Sequence, residues 1–84
     1  MESGIVIGAQ VSVYPLRQEH LNPAVQAVKT ELATHGLKPE IGTMSTQVVG
    51  EAEAVFAALR AAFIRVAANG QLVMTVTFSN ACPI

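Results

Sequence analysis

The sequence predicts an α+β sandwich, with a four-stranded antiparallel sheet carrying two helices on one face. Three observations predict it. Residues 5–14 and 72–79 alternate apolar and polar side chains with a period of two, as strands do. Residues 23–35 and 51–68 repeat apolar side chains at three- and four-residue spacings, as helices do. Between them, residues 37–50 are mostly uncharged after Glu40 and carry Ile41, Met44, Val48 and Val49 around Gly42-Thr43, the composition of a short hairpin.

The first strand sets Ile5, Ile7, Ala9, Val11 and Val13 on one face and Val6, Gly8, Gln10, Ser12 and Tyr14 on the other, and Pro15 ends it by removing an amide donor. Asn22-Pro23 fits a helix start: the amide side chain caps free N–H groups and the proline presets the first helical dihedral. Val25, Val28 and Leu32 mark the buried face, with Ala24 and Ala27 beside them, and His35-Gly36 supplies the stop.

In the hairpin, Pro39 pushes the first strand towards a sheet edge. The second helix is alanine-rich, with Val55, Phe56, Leu59, Phe63 and Val66 in register, acidic residues Glu51 and Glu53 in its first turn, and Arg60 and Arg65 later, the order the helix dipole favours. Phe56, Phe63 and Met74 are expected in the core, and the Glu and Arg side chains of this helix on a solvated face. Asn69-Gly70 stops the helix. Leu72, Met74, Val76 and Phe78 then alternate with Val73, Thr75, Thr77 and Ser79.

The order is βαββαβ, the split βαβ arrangement of ferredoxin-like domains, and right-handed crossovers give the sheet order 4-1-3-2. All 84 residues form one domain, since a chain of this size has room for one core.

Composition excludes several function classes. Hydrophobic residues make up 51% and charged residues 13%, about half the usual charged share, which excludes a disordered acidic or basic tail. A net charge of −1 lacks the basic excess needed for a nucleic-acid backbone. No apolar run is long enough to span a bilayer, and no basic flank marks a secretory leader. The lone cysteine, Cys82, can form neither an internal disulfide nor a zinc quartet, so a reducing compartment, the cytoplasm, is expected. His20 and His35 lack metal-ligand spacing, and His35 suits the C-terminus of its helix. Cys82 has no sequence-local cation to lower its thiol pKa, and the chain offers no nucleophile with a base and no paired carboxylates. The expectation is no enzyme, no metal and no cofactor.

The sheet face away from the helices has no cover of its own. It receives Gln10, Ser12 and Tyr14 from the first strand and Val73, Thr75, Thr77 and Ser79 from the last, and neither strand contains Lys, Arg or Glu. A surface so poor in charge is unusual in water. Either a second subunit stacks its sheet there, or a neutral or delocalised small molecule is held by hydroxyl and amide groups. Strand direction places Ser45-Thr46 near Ser12 to Tyr14, with Ser79 to Cys82 at the opposite end, about 20–25 Å away.

Three segments carry a resemblance: Gln10-Val11-Ser12-Val13-Tyr14-Pro15; Ser45-Thr46 before Val49-Gly50 and Val55-Phe56; and Val73-Met74 leading to Thr77-Phe78-Ser79 and Cys82-Pro83. Together they resemble one repeat of the YkoF-type thiamine and hydroxymethylpyrimidine-binding family. Those proteins carry two repeats and this chain has one, which is similar to the short thiamine-binding chains that assemble through their sheets. The resemblance implies non-enzymatic binding of thiamine or its hydroxymethylpyrimidine moiety by a homo-oligomer. It makes Ser45 and Thr46 the first site candidates, followed by Gln10, Ser12, Thr77, Ser79 and Asn80. The alternative is a structural or regulatory oligomerisation module without a ligand. An aminopyrimidine pairs a donor with ring-nitrogen acceptors, which Ser, Thr and Gln match, and Tyr14 or Phe78 could contact its ring. A cationic thiazolium would draw its carboxylate from Glu40, Glu51 or Glu53, as the chain has no aspartate.

Overall fold

The computed structural model describes residues 4–16, 22–42 and 45–81. Cys82, Pro83, His20 and the side chain of Asn22, on which several expectations rest, lie outside the described residues. The elements follow as β1 (Val6–Pro15), α1 (Asn22–Thr34), β2 (Glu40–Ile41), β3 (Thr46–Glu51), α2 (Ala52–Ala67) and β4 (Leu72–Ser79). The sheet is antiparallel, in the order β2-β3-β1-β4, which is the expected 4-1-3-2 read from the other edge.

One sheet face and one stripe of each helix form the core. From β1 come Ile7, Ala9, Val11 and Val13; from α1, Ala24, Val28 and Leu32; from β3, Val48; from α2, Val55, Ala58, Leu59, Ala62 and Val66. The α1 set repeats every four residues, which keeps one row of side chains against the sheet. Most of these core side chains are alanine and valine, small enough to let helices and sheet approach closely.

Helix α1 ends in a Schellman motif. Gly36 takes φ +81°, its N–H bonds to the Ala33 carbonyl at 3.0 Å, and the Leu37 N–H bonds to the Leu32 carbonyl at 3.0 Å. Leu32 and Leu37 both join the core, so the turn is also a hydrophobic contact. The His35 Nδ1 donates to the Glu31 carbonyl at 2.9 Å, which satisfies one of the last helical acceptors. Gly50 lies close beneath the α1 exit: a Cβ there would meet the end of the Leu37 side chain, which would have to shift.

One expectation about side-chain placement is corrected. Phe56 and Phe63 are 52% and 42% exposed and lie outside the core. At 100° per residue, each sits about a quarter-turn from the Val55–Ala58–Leu59–Ala62–Val66 stripe, on the flank of α2 that overhangs β4. There the Phe56 ring meets that of Phe78, with centroids 4.7 Å apart. Met74 does pack partly against the core. Glu53, Arg60 and Arg65 of α2 are exposed, in line with a solvated face, and Arg65 reaches Glu31 of α1 at 3.1 Å.

Candidate functional site

Cross-strand register decides which side chains share the open face. Val11 pairs with Thr46 and Val76, Gln10 with Gln47 and Thr77, and Gly8 with Val49 and Ser79. Glu40 pairs with Gln47. Because residues directly opposite point to the same side, Glu40, Gln47, Gln10 and Thr77 form one row across all four strands. Ser12 and Thr75 form the next row towards the end of β1, and Tyr14 and Val73 the one beyond. In the other direction come Val49, Gly8 and Ser79, then Glu51 and Val6. Neighbouring strands lie about 4.8 Å apart and neighbouring rows about 6.6 Å apart, so Gln10 stands at the centre of a polar grid.

Ser45 joins this grid. The Gln10 side-chain amide donates to the Ser45 hydroxyl at 3.3 Å, which bridges β1 to the start of β3. Thr46 is placed differently. It is paired with Val11 and 5% exposed, so its side chain lies on the helix-facing side of the sheet with Val48. Alternation along β3 sends adjacent residues to opposite faces, and so Ser45 and Thr46 do not share one surface.

The last-strand candidates separate in the same way. Thr77 is exposed beside Gln10 on the central row. Ser79 lies one row further, where its hydroxyl accepts the Ala81 N–H at 3.0 Å and also contacts the Ala81 carbonyl at 3.3 Å, a local turn. Asn80 is exposed in the bend past the strand end. The register narrows the expected separation of about 20–25 Å between two polar corners at its near side only: Ser12 and the Ser79 partner Gly8 are four residues apart, about 13 Å, with Thr77 between them, while Tyr14 and Gly8 are six apart, about 20 Å, and Cys82 lies outside the described residues. One chain therefore presents Ser45, Ser12, Gln10, Thr75 and Thr77 as a contiguous polar surface.

Sequence reasoning named Glu40 and Glu51 as carboxylate candidates but missed Gln47 and Val49 of β3. Gln47, Val49 and Glu40 are exposed on the same face, and Glu51 follows at its end. The signal was present: if Val48 is buried, Gln47 and Val49 must point the other way. The face is thus uncharged in β1 and β4 but bordered by two carboxylates. Gly8, buried and without a side chain, stands between Val49 and Ser79 one row from Gln10. Tyr14, Val73, Val49 and Val6 are about half exposed and frame the grid with apolar surface. Among the described residues no three His, Cys, Asp or Glu side chains cluster as metal ligands, and no helix is long and apolar enough to cross a membrane.

This fold and its open polar face place the chain in a class of small α+β sandwich proteins. The YKOF-related family model matches residues 6–84, and the chain belongs to that family. No curated protein matches it. Among solved structures, it is similar to the hypothetical protein MJ1052 of Methanocaldococcus jannascii, with TM-score 0.83 and 20% identity over 94% of this chain and 84% of that one. A proposed thiamine biosynthesis/salvage protein of Thermotoga maritima, TM0486, aligns with TM-score 0.77 and 17% identity over 88% and 82%. Protein SP2199 of Streptococcus pneumoniae aligns with TM-score 0.80 and 17% identity over 89% and 86%. At these identities the likeness shows the shared fold.

Proposed function

We propose that the protein binds thiamine or its hydroxymethylpyrimidine moiety, without catalysis, on the open sheet face of a cytoplasmic homo-oligomer. Membership of the YKOF-related family supports the ligand class. The observation that carries the site is the Gln10 grid: an amide flanked by the Ser45, Ser12, Thr75 and Thr77 hydroxyl positions, with Gln47 across the strand. Each of these groups can both donate and accept. An aminopyrimidine asks for that mixture, with acceptors for its amino group beside donors for its ring nitrogens. Glu40, at the end of the same row, offers a carboxylate to a thiazolium cation. Thr46 serves the site by anchoring β3 beneath Ser45 rather than by touching a ligand.

A single open sheet leaves one side of a flat ring in water. A second subunit stacked through the apolar frame of Tyr14, Val73, Val49 and Val6 would enclose it. Calorimetric titration with thiamine and with hydroxymethylpyrimidine tests the reading. Saturable heat with at least one, lost in Gln10→Ala, is expected; no heat and no thermal shift with either at millimolar concentration refutes it.

The same apolar frame favours a second reading, a structural or regulatory module whose face only stacks on a neighbour. In that case Ser45→Ala and Gln10→Ala have no ligand affinity to lose, and any effect they have is on assembly.

A further inference from the structure

Among the described residues, the charged side chains of the open face all stand on its β2 and β3 side. Glu51 closes β3, Glu40 ends the Gln10 row, and Lys38 precedes Glu40 by two residues. Leu37 is buried in the core, and alternation turns Lys38 away from it, to the side of Glu40. The two side chains accordingly line one recess of about 180 Å³ with Gln47, Val48 and Val49. They stand about 6.6 Å apart along the chain. Neither engages an ion pair or a side-chain hydrogen bond among the described residues. A cation and an anion left unpaired in one hollow suit a ligand that brings the two opposite charges.

We propose that Lys38 extends the site to a phosphate ester of its ligand, holding the phosphate while Glu40 faces the thiazolium. This rests on the thiamine reading above and adds the charge state of the ligand. With the aminopyrimidine over Gln10 and the thiazolium over Gln47, within reach of Glu40, the hydroxyethyl arm is the group left to turn along the strand. Lys38 stands one strand and one row from Gln47, about 8 Å between Cα positions. An extended lysine side chain and a phosphate on that arm close this gap together. β1, β3 and β4 contain no lysine or arginine, so no other strand of the face supplies a cation. The ammonium group gives the phosphate a charge-assisted hydrogen bond. A simple anion gains less, because Glu40 and Glu51 lie on either side of Lys38. The thiazolium offsets the Glu40 charge, so the recess favours the ester of the cationic ligand over free phosphate.

Calorimetric titration of the full chain with thiamine, thiamine monophosphate and inorganic phosphate tests this. The monophosphate is expected to bind about five- to tenfold tighter than thiamine, with a preference that shrinks as salt is raised. Lys38→Gln is expected to erase the preference and Lys38→Arg to keep it, with melting followed by circular dichroism to verify folding at this exposed position. Inorganic phosphate is expected to give no saturable heat. A monophosphate bound no tighter than thiamine, a preference that survives in folded Lys38→Gln, or inorganic phosphate bound as well as the ester overturns the proposal while leaving the thiamine reading in place. No heat with thiamine or its monophosphate overturns both.

Discussion

Three residues show how far single positions are fixed by their surroundings. Gln10 sits on the middle row of the sheet, and its bond to Ser45 sets the orientation of its amide. Its replacement by alanine should weaken pyrimidine binding by about tenfold, the cost of about one net hydrogen-bond set of 1.4 kcal/mol, with little change in melting temperature. Thr46 makes the opposite forecast. Thr46→Val, buried beside Val48, should leave affinity within about twofold in the same titration, since the ligand face lies across the sheet. Gly50 is fixed by packing: Gly50→Ala forces a methyl group onto Leu37 and should destabilise the fold by about 1–3 kcal/mol, read from chemical denaturation.

At the scale of elements, the helix stop after Thr34 depends on the left-handed Gly36, and Gly36→Ala should cost about 1 kcal/mol or somewhat more, again by denaturation. Element type and order were legible because periodicity is a local property: β1, α1, α2 and β4 each declare themselves within ten or so residues. The composition of the helix stripe was less so. Phe56 and Phe63 satisfy the same three- and four-residue spacing as Val55 and Leu59, and only the angle to a sheet that lies elsewhere in the chain puts the small residues inside and the rings outside. Thr46 eluded sequence reasoning for a related cause. Which face an alternating strand turns inward is set by its register against β1, a long-range fact. Gln10, Ser12 and Thr77 were placed correctly on the open face because their own strands alternate without ambiguity.

For the whole molecule, the two bare surfaces make separate demands. The open face carries an apolar frame around polar groups, and the β4 margin carries aromatic rings beside unpaired backbone. If a second copy covers the open face, as proposed for the site, Val49→Glu should break that pairing and halve the assembly mass; light scattering reads the outcome directly. Loss of that pairing should also weaken pyrimidine binding.

The two-residue strand β2 has a further consequence at this scale. A sheet that ends at one margin in a two-residue stub with a glutamate offers little backbone there for a further strand, which disfavours head-to-tail addition of copies across that margin. Concentrated solutions should stay clear and reach a finite mass. Lengthening the stub with alternating valines and threonines is the change that would put this restraint at risk.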